Sequence, residues 1–326
     1  MFAFTSSTRW LRPILIGAGI ALLLAILFAR PAAADTPIGG SIGADTVLTP
    51  AGNPYVVVNG VRVFGGVTLT LQPGVELRFQ NDTDLSIEGT LIAQGTAAYP
   101  VTFTAAITPP SPGAWRQVVF QSGAKGRLSN CLVQYVGQWG YPAIGILSSD
   151  VVIGNCRVRD NANDGVAIIN QPGLRPTLQN LTITGNANYA IWQAPDASAR
   201  YEHLTLSGNG VNAIGASGNT TVDATWDTSQ AGASLRIDTY FRVAYGTVLT
   251  LAPGTEVGFD PYGQFEVTGG LIAEGTPGQP ITFTSALSVP HAGDWQQIYA
   301  WDIARLRLSH CLIAYAGVYN LSLIHI

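Results

Sequence analysis

From Asn130 onward, single apolar positions alternate with polar ones and return at a fixed interval. Cys131 and Val133, Cys156 and Val158, Leu181 and Ile183, and Leu204 and Leu206 are each split by one polar or outward-type residue, the two-residue period of a strand with one buried face. From Cys131 to Cys156 and from Cys156 to Leu181 the step is 25 residues, and from Leu181 to Leu204 it is 23. A second marker keeps the same step: Asn161, Asn186 and Asn209 each lead, through a short polar link, into Val166-Ala167-Ile168, Ala190-Ile191-Trp192 or Ala213-Ile214. No stretch after residue 34 sustains a helical period. Each interval has room for three short strands, and every interval returns in the same direction, so a hairpin ladder is excluded. Such a chain coils, and equivalent strands stack in parallel at about 4.8 Å per coil. The pattern predicts an all-β parallel β-helix of about a dozen coils.

A longer repeat encloses the short one. Gly66 to Gly137 aligns without a gap on Gly246 to Gly317, an offset of 180 residues. Leu71-Gln72-Pro73-Gly74 matches Leu251-Ala252-Pro253-Gly254, Trp115 matches Trp295, and Ser129-Asn130-Cys131-Leu132 matches Ser309-His310-Cys311-Leu312. The expected organisation is a lead-in or cap over 35–52, a first β-helix module over 53–230 and an incomplete second module over 231–320.

These motifs carry a family resemblance. The Asn-Cys-x-Val, Asn and Gly-Val-x-Ile sequence of Ile153 to Ile168 resembles the repeat of pectin-lyase-like, right-handed parallel β-helices. The segment from Thr68 through Gly95 to Thr104 is similar to one found in secreted bacterial β-helix proteins. The resemblance implies a right-handed coil on the pectin-lyase-like plan. It bears on activity less, because the shared pattern encodes core and corners.

The remaining sequence sets the address. Arg9 and Arg12 precede an apolar run from Pro13 to Phe28, and Ala32-Ala33-Ala34 supplies small residues before Asp35, as in a cleaved export signal over 1–34. The run is short for a membrane span, so the expectation is a secreted or extracytoplasmic chain, surface-attached or free, with no membrane span once the signal is removed. Leu321 to Ile326 resembles the translation of a sequencing-library adaptor, so 321–326 is expected to be an artefact of a longer gene, and His325 is kept out of any site. The charge is sparse: 16 Lys and Arg against 20 Asp and Glu, net −4, which excludes a basic nucleic-acid footprint.

Candidate chemistry is thin. Asn130, Asn155 and Asn180 form a row expected to be structural, a ladder of corner amides bonding from coil to coil, with His203 in its fourth place. Cys131 and Cys156 fall at one inward position of adjacent coils; a disulfide and a pair of stacked buried thiols are both compatible with that spacing, and too few further Cys or His lie nearby for a metal site. Asp160 to Gly165 is the one loop that hints at calcium, though Ala162 stands where a ligand belongs; no other cofactor is expected. Enzymes of the resembled family use clustered carboxylates beside basic groups. The nearest arrangement here is Arg157, Arg159, Asp160 and Asp164 on one coil, with Glu202 and His203 two coils along. Trp139, Tyr141 and Trp192 offer flat rings for stacking on sugars, or else pack in core and loops. The resulting expectation is a scaffold, monomeric when complete, that binds polysaccharide or another surface component without catalysis. A lyase or glycoside hydrolase and a passive spacer are its rivals.

Overall fold

The computed structural model describes residues 35–169 and 171–318, and the backbone of 324–325. The expected export signal over 1–34 and the side chains of 321–326 lie outside the described residues. The described chain is built almost wholly of short strands, with two single 3₁₀ turns, Pro50–Gly52 and Gln138–Gly140.

Alternation turns directly into stacked columns. The first face of each coil is formed by Thr46–Leu48, Thr68–Leu71, Thr90–Gln94, Lys125–Ser129, Val151–Gly154, Thr177–Gln179 and Arg200–Glu202, all parallel. On the second face Leu77, Phe103, Val133, Val158, Ile183 and Leu206 stand in one inward column. On the third face Leu85, Val118, Ile144, Val166, Ile191 and Ile214 do the same. Each coil thus adds one apolar side chain to every column, and full burial of each stabilises by about 1.5–3 kcal/mol. The segment assigned as a lead-in is itself a coil: Thr36–Ile42 pairs in parallel with Tyr55–Val63.

Framework residues repeat between the copies. Trp115 stacks on Phe79 with ring centroids 3.9 Å apart, and Trp295 stacks on Phe259 at 4.1 Å. Each indole N–H donates to a second-face carbonyl, that of Gln134 (3.0 Å) or Ala314 (2.8 Å). The backbone of Ile324–His325 adds a rung beside Gln297–Ala300, where the offset from Ile144 puts it.

The joint between copies is a slip. Val211–Asn219 pairs on one side with the third-face strand Tyr189–Gln193. On the other side it pairs with Leu235–Val243, whose first part continues into Glu256–Phe259, the copy of the second-face strand Glu76–Phe79. The third face of the first copy therefore runs on as the second face of the next. The first face stops at Arg200–Glu202, and a new four-stranded stack begins at Ala224–Trp226.

The corner asparagines require a correction. Asn130, Asn155 and Asn180, with His203 and His310 in the same place, all adopt left-handed φ near 50°, which Asn tolerates better than most residues. Their side chains do not form the expected ladder; Asn130 donates to Gly95 O (3.2 Å), and Asn155 and Asn180 are exposed. The ladder runs through the other row. Asn161 Nδ2 donates to Asn186 Oδ1 (2.6 Å), Asn186 Nδ2 to Asn209 Oδ1 (2.7 Å), and Asn209 Nδ2 to Ile183 O (2.8 Å), all buried.

Cys131, Cys156 and Leu181 stack as the period requires, and both cysteines are free thiols. Cys131 N–H donates to Cys156 Sγ (3.3 Å), while the two thiols donate to Ala93 O and Gly154 O. The bond to Cys156 and burial push the Cys131 thiol well up, so it is held in its protonated form.

Candidate functional site

The basic and acidic candidates do not converge. Arg157 and Arg159 project from the second face, and Arg159 Nη1 pairs with Asp160 Oδ2 at 3.0 Å. Glu202 is held by Arg200 on its own first-face strand, and His203 is exposed at the adjoining corner. Asp164 lies apart from all of these, in the turn between the second and third faces. The oxygens of the Asp160–Gly165 loop are likewise engaged separately: Asn161 Oδ1 accepts from Val136 N, Asn163 Oδ1 from Asn188 Nδ2, and Asp164 Oδ1 from Tyr189 N. Among the described residues no three His, Cys, Asp or Glu side chains stand together as a metal site.

What the coils do bring together is Asp164 and Trp192, through Tyr189. Trp192 occupies the outward position of its third-face strand, in register with Ala167 and Gly215, and Gly145 stands one rung beyond Ala167. Its ring meets Tyr189 edge-on at 5.0 Å. Both rings lie against Gly215, where a Cβ would come within 2.5 Å of Trp192 Cε3 and 2.6 Å of Tyr189 Cε1. Only glycine fits that rung, and a register shift between Tyr189 and Ile191 marks a bulge beside it. Next along the column is Arg236, paired with Asp260. Burial holds the Tyr189 hydroxyl up to about 12, with the negative charges of Asp238 and Asp260 adding to it, Arg236 opposing, and Asp164 raising it further.

A second group stands on the same flank toward the start of the coil stack. Trp139 lies in the turn entering the third face, 74% exposed, and its indole N–H donates to Asp82 Oδ1 at 3.2 Å. Arg116 Nε donates to the same oxygen at 2.8 Å. Gln138 accepts from Asp82 N–H (2.8 Å) and donates to Asn81 (2.8 Å), and Tyr141, 42% exposed, is close enough to act on Arg116 electrostatically. The bonds from Arg116 and Trp139 hold Asp82 below the usual carboxylate range, whereas burial raises Asp84. Trp139 and Trp192 belong to coils two steps apart, about 10 Å along the axis. Sequence reasoning named the three aromatic residues and Asp164 but missed Tyr189, Asp82, Asp84 and Arg116. A signal existed in the copies: 180 residues on, Asp82, Asp84 and Arg116 become Tyr262, Gln264 and Gln296, while Trp115 and Cys131 are kept.

Burial raises the Asp164 carboxyl, which yields a prediction. A carboxyl with a raised folded-state value binds its proton more readily in the fold, so its ionisation costs stability as pH rises through that window. Asp164→Asn keeps an acceptor for Tyr189 N–H and is expected to raise the thermal midpoint at pH 7. The gain vanishes in acid below the ordinary Asp range. Thermal melts of both chains across pH check this; an equal midpoint at pH 7 would refute it.

A solenoid of stacked parallel strands defines the class of protein. Residues 56–225, just over half of the chain, match the family model described as the right-handed beta helix region, and the chain belongs to that family. It is also similar to Protein bark beetle of Drosophila melanogaster, 33% identical over 63 residues, which is 19% of this chain and 2% of that protein. No solved structure matches the chain.

Proposed function

We propose that the chain is a secreted or surface-displayed β-helical scaffold that binds polysaccharide, or another surface component rich in sugars, without catalysis. The observation that carries this reading is a pair of indoles two coils apart, Trp139 in the turn entering the third face and Trp192 on that face, with Trp139 oriented by Asp82 and Trp192 by Tyr189. Flat rings fixed in place stack on pyranose faces at little entropic cost. One coil rise is close to one sugar unit, so a short glycan laid along the axis spans the two coil steps between Trp139 and Trp192. The export-type leader, Met1 to Ala34, fits display outside the cytoplasm.

The test is affinity electrophoresis of the purified chain through a panel of soluble polysaccharides. Trp139→Ala and Trp192→Ala are each expected to weaken retention about tenfold, the equivalent of about 1.4 kcal/mol, with no product released from the glycan. Retention by none of the panel would favour the passive spacer and end this reading.

A second reading, a pectin-lyase-like lyase or hydrolase, draws on Asp82 and Asp84, two carboxylates pushed in opposite directions beside Arg116. It requires unsaturated or reducing product that disappears in Asp84→Asn. The scaffold reading requires none.

A further inference from the structure

We infer that the aromatic flank takes an uncharged, hydroxyl-rich glycan and turns away polyuronates. This rests on the binding role proposed above and narrows it. Around Tyr189 and Trp192 stand Asp164, Asp238 and Asp260 against one guanidinium, Arg236. Around Trp139 stand Asp82 and Asp84 against one guanidinium, Arg116. Five carboxylates thus face two cations, and each cation is already bound to one of them: Arg116 to Asp82 through two nitrogens and Arg236 to Asp260. On the second face Arg159 is paired with Asp160 and adds no net charge, and the exposed Arg157 stands at the far end of that face, beside the Asn155 corner.

The rim is rich in acceptors. A sugar hydroxyl donates, and donation to an ionised carboxylate is among the stronger hydrogen bonds. Among the described residues Asp238 Oδ1 is engaged with the adjacent Thr239 alone, and Asp84 bonds its own backbone N–H and feels the charge of Arg116, so both are placed to accept from such donors. A uronate unit gives up a donating hydroxymethyl group and brings a negative charge. Its carboxylate would meet like charge near Asp82 and Asp84 at one end and near Asp164 and Asp238 at the other and, among the described residues, find no unpaired guanidinium on this rim to offset it. The aromatic faces supply the rest of the contact, and ring stacking is indifferent to which neutral hexose is offered.

The experiment is affinity electrophoresis and titration calorimetry of the whole chain at low ionic strength, with a neutral soluble glucan, a neutral galactan and polygalacturonate of matched length. At least one neutral glycan is expected to bind ten times or more as tightly as polygalacturonate. Raising the salt concentration, which screens exposed charges, should narrow that gap. The double variant Asp84→Asn/Asp238→Asn should narrow it as well, and circular dichroism confirms that the variant is folded. Polygalacturonate bound as tightly as the neutral glycans would overturn the inference and leave the binding role intact. Binding of neutral glycan that survives both Trp139→Ala and Trp192→Ala would overturn its placement on this flank. Failure of all three glycans to bind would remove the inference and the binding role together.

Discussion

Trp115→Ala is expected to lower the unfolding free energy by about 4 kcal/mol, within the usual cost of emptying a large aromatic site in a core. The indole is fully buried, lies flat on Phe79 and donates to Gln134 O. Removal therefore leaves a cavity and takes the indole hydrogen bond from Gln134 O. Each coil of a solenoid contacts only its neighbours, so the loss concentrates in the coils from Glu76 to Gln134. Trp115→Phe should recover most of the deficit, because the ring remains and only the donor is lost. Urea denaturation of the three chains measures this, and a Trp115→Ala chain within 1 kcal/mol of the original would contradict the role assigned to the ring.

Asn186→Leu is expected to cost a similar amount, about 4 kcal/mol, for a different reason. Asn186 Oδ1 accepts from Asn161, and its Nδ2 donates to Asn209 and to Val158 O, so a leucine leaves the buried Asn161 amide without its acceptor at about 1–3 kcal/mol, removes the donor to Val158 O, and adds strain where volume is fixed; Asn209 keeps the backbone N–H of residue 186. Asn155→Ala, on the exposed row, should cost about 1 kcal/mol, the penalty for a left-handed residue that lacks the tolerance of Asn. Asn155 and Asn180 keep step with Asn161 and Asn186, six residues behind each, and comparing these variants by denaturant midpoint separates the two rows. Equal effects would mean that the ladder is not where the hydrogen bonds put it.

That pair also marks how far the fold was legible. The coil, its parallel stacking and the inward columns follow from alternation plus recurrence, because burial of one side of a strand fixes every second residue. The same rule places Asn155, one residue before the inward Cys156, on the outside, and applying it there would have assigned the ladder to Asn161, Asn186 and Asn209. The candidate site was less legible. Trp139 and Trp192 stood out by composition, but Asp82 and Arg116 are 34 residues apart, and no period joins them. They meet because the excursion between Val101–Ala105 and Val118–Phe120 returns the chain to the same flank. Tyr189 read as part of a polar link. Its ring meets Trp192 edge-on where the register shifts beside Gly215.

The slip between the copies has a consequence for how a multi-copy chain would meet a flat surface. Arg236 is the copy of Val56, yet it stands in line with Trp192 rather than with the strand that holds Val56. Matching residues of the two copies thus look out in different directions. A chain that added modules through the same joint would turn each module's second face onto the line of the preceding module's third, so that equivalent residues advance around the axis like the thread of a screw.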